Sequence, residues 1–352
     1  MTADARYAAQ DLIAVTEALF GAAGMDPEKA GVIAPVLVEA DLMGHTTHGL
    51  QLAPPYLTAL TDGLMKGTGQ PKVISDRGPV ASWDGRRISG VWLTATAIDL
   101  AVDRAKTYGT CSIAIRRSHH IACLAAFLQR ATDHGMMITL ASSDPASGSV
   151  APFNSITPLY TPDPIAVGIP TDGDPILIDI SASITTNGLT GRLQQEGGKL
   201  PGKWVQDNAG TATDDPGVLY TDPPGSILPV GGQDHGHKGY GLALIVEALT
   251  QGLSGWGRAD PNEGWGATVY IQVQDPTAFA GADAFKRQTG WLADACRSST
   301  PRPGVDKVRL PGDGALARKR SALADGVALY PGVIAGLSGW CEKLSVAPPK
   351  AL

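Results

Sequence analysis

The chain has 352 residues, a formal charge of −6 and an ordinary apolar content of 43%. That length can bury one large core or two smaller ones. No Lys/Arg run suggests a nucleic-acid or polybasic membrane partner, and no apolar run approaches the roughly 20 residues needed to span a bilayer.

Residues 5–22 carry apolar positions at Leu12, Ile13, Val15, Leu19 and Phe20, which predicts an amphipathic helix. Asp11 and Glu17 lie inside this pattern, so it does not read as a signal peptide. Asp26-Pro27-Glu28 supplies a cap, a first-turn proline and a first-turn acid for a second helix. That helix runs through Ala40 and ends near Gly44. A third spans 50–64, interrupted by Pro54-Pro55.

A strand is expected over 78–83 and a helix over 89–106, followed by a buried strand over 110–115 (T-C-S-I-A-I). A helix over 124–132 and a strand over 137–141 complete a β-α-β-α-β succession, which predicts a sheet flanked by helices. Short strands are expected at 166–169 and 175–180, and a polar surface crossing at 187–213. Helices at 242–253, 279–296 and 331–344 and an alternating strand at 267–273 close the chain.

Six of the seven histidines fall in three pairs: His45 and His48, His119 and His120, His235 and His237. His45 and His48 follow a helix C-terminus, and three readings are open. They can ligate a metal, act as general acid and base, or simply gain from the helix dipole. His119-His120 sits where a strand hands over to a helix, the place where ligands collect in open α/β sheets. His235 and His237 have the best metal spacing, but no Asp/Glu/Cys set nearby completes a site. Cys111, Cys123, Cys296 and Cys341 lack C-x-x-C spacing, which argues against a zinc ribbon or disulfide framework and fits a reducing cytoplasm. No metal is expected. The dinucleotide fingerprint G-x-G-x-x-G between strand and helix is absent, as is a Walker motif. Instead, Gly231 to Gly241 (G-G-Q-D-H-G-H-K-G-Y-G) opens a helix. It is either a backbone cradle for a phosphate or merely a mobile loop.

Several segments together resemble one family. These are D-L-M-G-H-T-T-H-G-L (41–50) with Tyr56, R-x-S-H-H (116–120), D-P-I-A-V-G-I-P (163–170) followed by I-L-I-D-I-S (176–181), H-K-G-Y-G-L-A-L (237–244) and L-P-G-D (310–313). They are similar, in order, to the blocks of the non-Rossmann malate/L-lactate dehydrogenases. That family includes ureidoglycolate and sulfolactate dehydrogenases, diketogulonate reductase and cyclic-imine carboxylate reductases.

The resemblance implies an α/β fold with a mixed central sheet, flanking helices and a helical domain built from both chain ends. The expected division is 1–75 helical, 76–235 α/β and cofactor-binding, and 236–352 returning to the helical part. It implies an NADH- or NADPH-dependent oxidoreductase of small ketones, hydroxy compounds or cyclic imines, working as a cytoplasmic homodimer without nucleic-acid or membrane partners. His48 resembles the proton donor and His120 a second active-site histidine. Thr47, Leu52, Tyr56 and His119 fall at the substrate. Pro175, Ile176, Leu177, Ile178, Asp179, Ile180 and Ser181, with His237, Lys238, Gly312, Asp313 and Gly314, fall on the cofactor segments. The first two histidine pairs, and the third with them, are expected around a nicotinamide.

The departures cluster at the substrate. Leu52 stands where an arginine suited to a carboxylate is usual, Ile121 replaces an aromatic residue, and Thr161-Pro162-Asp163-Pro164 replaces G-T-N-P. The alternatives are a metal-dependent hydrolase or lyase built on the histidine pairs, and a nucleotide-binding homologue without turnover.

Overall fold

The chain enters through a two-residue strand, β1 (Arg6–Tyr7), and a helix, α1 (Ala9–Ala22); the computed structural model describes residues 5–261 and 263–352. Pro27 occupies the first turn of α2 (Pro27–Met43), where its fixed φ favours the helix. Gly44 ends α2 in the left-handed conformation, φ 87°, and the His45 N–H closes on the Ala40 carbonyl at 2.8 Å. A 3₁₀ turn (Leu50–Leu52) runs into α3 (Ala53–Thr61). Pro54 and Pro55 do not interrupt this helix. They sit in its first turn, where an N–H has no intrahelical acceptor to lose.

β2 (Lys72–Asp76) is exposed throughout, so it carries no apolar alternation that could announce it. β3 (Val80–Asp84), α4 (Gly90–Tyr108), β4 (Thr110–Ser118), α5 (Ala125–Thr132) and β5 (Met137–Ser143) follow in the expected succession. β6 (Pro164–Ile169) and β7 (Ile176–Ser181) form a hairpin. Where a surface crossing is expected, the chain forms α6 (Asn187–Glu196), capped by Thr186 Oγ1, which accepts the Leu189 N–H at 3.3 Å. Its polar composition hides it, because Thr190 alone among its residues is buried.

β8 (Val205–Gln206), β9 (Ala212–Thr213) and β10 (Ser226–Ile227) make a small separate sheet. α7 (Gly232–His235) and α8 (His237–Glu247) follow, so the glycine-rich segment is helical rather than a loop ahead of Leu242. Gly239 has to be glycine, since a Cβ there would overlap Val230 N and Ala182 O. A π-helical turn (Ala248–Gly252) ends α8. β11 (Ala267–Gln274), α9 (Ala282–Ser298), α10 (Asp313–Asp325), β12 (Val327–Ala328) and α11 (Val333–Leu344) complete the chain.

Among the described residues the main sheet has seven strands in the order β2-β3-β4-β11-β5-β6-β7. β3 and β4 are parallel, joined by α4, and every other neighbouring pair is antiparallel. The fold is thus α/β with a mixed sheet. β11 is not the half-exposed strand that alternation suggests; it is largely buried and separates β4 from β5. The chain ends meet: β1 pairs with β12, and α1 packs on α2 and α11. One apolar core runs from these helices through α4 and α5 to the sheet. β7 is left at the edge.

Candidate active site

The 41–50 signature is a loop-closing device. Asp41, buried in α2, accepts the Leu50 N–H through Oδ2 at 2.7 Å, and the His48 N–H bonds the His45 carbonyl at 2.9 Å. A Cβ on Gly49 would overlap the Asp41 carboxylate, so glycine is required there. Burial raises Asp41 to about 7 against the pull of the Leu50 N–H. The loop presents His48, whose Nδ1 lies 2.8 Å from Thr47 Oγ1. Burial pushes this imidazole down to about 4, helped by the nearby charges of His45 and Arg192.

The second histidine pair leaves the end of β4. The His119 N–H bonds the Ile88 carbonyl at 3.1 Å, and Gly90, opening α4, lies directly against the carbonyls of His119 and His120. His120 Nδ1 lies 2.6 Å from Tyr56 Oη and 3.3 Å from the Ala122 N–H. Two donors aimed at one nitrogen make it the acceptor and leave the ring proton on Nε2. Burial holds the Tyr56 phenol well above its usual range, so it stays a donor, and holds His120 well below its own. The rings of His48 and His120 face one another, 6.1 Å between centroids and 28° between planes. Trp265 packs on His120 and Tyr56, with ring centroids 4.9 Å and 5.5 Å away.

His48 and His120 line a cavity of ≈ 690 Å³, together with Thr47, Leu52, Trp265 and, on the β7 side, Asp179, Ile180 and Ser181. This volume is typical of small-molecule and cofactor sites. Tyr56 and His119 do not line it. Both are buried behind His120, Tyr56 as its hydrogen-bond partner and His119 edge-on to Tyr56 at 5.5 Å. The direct substrate contact expected of them becomes a supporting position. Burial, then the Arg87 charge, lowers His119 to about 3.

The expected cofactor segments assemble along β7. Asp179, Ile180 and Ser181 reach the cavity, while Pro175, Ile176, Leu177 and Ile178 continue away from it. Gly312, at φ 96°, packs on Leu177, whose N–H bonds the Pro311 carbonyl at 3.1 Å. Asp313 caps its own turn through the Leu310 N–H and pairs with Arg297 at 2.8 Å, with Gly314 beside it in α10. At the other end of β7, α8 packs on Ala182, leaving His237 and Lys238 exposed. The third histidine pair therefore stays out of the cavity. Packing of Gly236 and Gly239 against Pro229, Val230 and Ala182 turns His235 and His237 outward, 6.2 Å apart.

Some neighbours have no local signal. Trp265 lies in an irregular loop, and only the tertiary fold brings it to the histidines. Arg192 on α6 donates to Thr46 Oγ1 at 3.0 Å and to Gln51, and stacks 3.4 Å from the Tyr330 ring. Asp163, fully buried with φ 46°, accepts from Thr161 Oγ1 at 2.7 Å. Burial and the Glu247 charge push it upward from the usual carboxylate range, at the position where the resemblance expects asparagine.

Fold and cavity together define an α/β protein whose two facing imidazoles suit proton transfer to a small molecule. Residues 7–338 match the family model described as malate/L-lactate dehydrogenase, and the chain belongs to that family. It is 27% identical to an L-lactate dehydrogenase of Cupriavidus necator, over 99% of this chain and 98% of the relative. Among solved structures it is similar to malate dehydrogenase from Entamoeba histolytica (TM-score 0.91, 23% identity, 98% and 99% covered). It is also similar to delta1-piperideine-2-carboxylate reductase from Pseudomonas syringae pvar. tomato (TM-score 0.82, 28% identity, 95% and 99% covered). The protein is an oxidoreductase of the malate/lactate dehydrogenase type, and the family implies a nicotinamide cofactor.

Proposed function

We propose that the protein is an NADH- or NADPH-dependent oxidoreductase that reduces a small ketone or cyclic imine, or oxidises the corresponding alcohol or amine. The observation that carries this reading is the facing of His48 and His120 across a cavity whose far wall is β7. The lining suits such a cofactor: Ser142, Ser181 and Ser183 stand beside Ile180 and Ile184, mixing polar and apolar residues along the wall. Asp179 to Ser181 would hold its reactive end, and the Gly312 and His237-Lys238 segments its remainder. When bound, a nicotinamide gives or takes the hydride. His48 then moves the proton at the substrate oxygen or nitrogen, and His120, fixed by Tyr56, orients the reacting group. Saturating NADH or NADPH should raise the melting temperature. A ligand at 100 times its Kd adds about 2.7 kcal/mol to the native state. No shift with either cofactor in differential scanning fluorimetry would remove the assignment.

The cavity wall bears on the substrate. Among the described residues lining it there is no Arg or Lys. Arg116 and Arg117 point elsewhere, both 3.2 Å from Asp84, with Arg117 also 3.0 Å from Glu263. A buried carboxylate without a cation is costly, so the substrate lacks the usual α-carboxylate or carries it elsewhere. Arg192, near His48 but outside the cavity wall, is held by Thr46, Gln51 and the Tyr330 ring. We expect wild-type kcat/KM for pyruvate, 2-oxosuccinate and piperideine-2-carboxylate to fall below that for their decarboxylated analogues. Leu52→Arg should raise the carboxylate values about 10- to 100-fold, the worth of one charge-assisted contact. Strong wild-type preference for the carboxylates, unchanged in Leu52→Arg, contradicts this reading and moves the anchor to Arg192.

A further inference from the structure

We propose that His45, Cys123 and Asp179 form a binding site for a zinc-type divalent cation in the β7 wall of the cavity, and that its occupancy inhibits turnover. The three residues come from separate segments: the turn after α2, the loop before α5, and β7. Each offers one ligand atom, and these atoms lie within 4.8 Å of one another. All three line the cavity. The Cys123 thiol donates to Asp179 Oδ2 at 3.7 Å, and the same oxygen accepts the Ala125 N–H at 2.9 Å. Asp179 Oδ1 takes no hydrogen bond from a described residue.

Zinc bonds of about 2.3 Å to sulfur and about 2.0–2.2 Å to nitrogen and oxygen place tetrahedral ligand atoms about 3.3–3.8 Å apart. Small side-chain rotations close the set, and the fourth position opens on the cavity. The donor types select the metal. One thiolate, one imidazole and one carboxylate suit zinc or cobalt, whereas calcium and magnesium want oxygen alone. Charge balances as well. On binding, the thiol proton leaves to solvent, and a dication with one thiolate and one carboxylate is neutral, as a partly buried site requires. Without a cation, burial pushes both the Cys123 thiol and the Asp179 carboxyl upward, disfavouring their charged forms.

His45 lies three residues before His48, and Cys123 three residues after His120. An ion there shares the cavity with both facing histidines and lies against the strand proposed to hold the cofactor. The inhibition rests on the nicotinamide reading, whereas the binding site does not, because the metal is assayed there alone.

Cobalt(II), added to the purified chain without cofactor, should bind once per chain and give a near-ultraviolet thiolate-to-cobalt charge-transfer band that zinc displaces. Cys123→Ser should abolish the band. His45→Ala should weaken cobalt binding by more than the about 10- to 100-fold that losing an outer-shell partner costs. Zinc should inhibit the wild-type enzyme but not Cys123→Ser. Absence of binding, or a band of equal strength in Cys123→Ser, overturns the proposal; the latter places the metal on another cysteine. If Cys123→Ser fails to fold, unchanged cobalt affinity in His45→Ala is the refuting result.

Discussion

Replacing His48 by alanine is expected to lower turnover by about 10²- to 10⁴-fold, the usual worth of one general acid or base. Cofactor affinity should hardly change, because His48 lies on the loop after α2 and not on β7 or α8. His48→Asn keeps the volume and one donor but cannot exchange a proton at neutral pH, and should be almost as damaging. The wild-type pH profile carries a second signature. With its pKa depressed to about 4, His48 is neutral at pH 7 and ready to accept a proton. For alcohol or amine oxidation, kcat/KM should therefore be flat above about pH 5 and fall below about pH 4. For reduction the donor must be protonated, so kcat/KM should fall about tenfold per unit as pH rises past 4. Retention of most activity in His48→Ala would move the proton to His120 or to water. A reduction profile flat to pH 8 would mean that a group other than this neutral imidazole delivers it.

Gly90→Ala should damage both stability and turnover, although Gly90 lies outside the cavity wall. A methyl group on Gly90 would overlap the His119 carbonyl oxygen and lie 2.7 Å from that of His120. Both obstacles are backbone, so neither can swing aside as a side chain would. Overpacking costs about 1–3 kcal/mol and occasionally more, and this case belongs at the upper end. The segment that must move carries His120, and a displacement of about 1 Å at a reacting group can cost about 10²-fold. Chemical denaturation together with kcat on the same preparation checks both expectations. Wild-type values for both would show that α4 does not hold the histidine segment in place. Greater loss of stability than of activity would mean that the segment yields without misplacing His120.

Several features were legible because the forces behind them act over a few residues. Pro27 and Gly44 bound α2 through φ preferences that any isolated segment would share, whereas the expected Asp26 side-chain cap does not form, its carboxylate pairing with Lys29 Nζ at 2.8 Å instead. The 41–50 loop closes within itself through the Asp41–Leu50 bond, nine residues apart, and its residues carry part of the family resemblance. β4 and α5 show their periods, and the handover that places His119 and His120 follows from them. The histidine-bearing signature, the α/β succession and the family resemblance thus stand in the chain as written.

Other features exist only in three dimensions. β11 enters between β4 and β5 because its ladder partners, such as Ile113 and Leu140 for Ile271, are far away in the chain. No local period encodes which strands pair. α6 and α10 form from largely polar segments whose helices carry little apolar pattern to read. Burial is likewise a property of the assembled core. It sets Tyr56 and His119 behind His120 and depresses the imidazoles, and packing turns His235 and His237 outward. Packing also commits Arg116 and Arg117 to Asp84, brings Trp265 and the His45–Cys123–Asp179 group to one cavity, and sets Arg192 behind it on Thr46, Gln51 and Tyr330. Residue types and short spacings determine what each segment can do; which charges lose their water and which side chains meet depends on contacts that only folding makes.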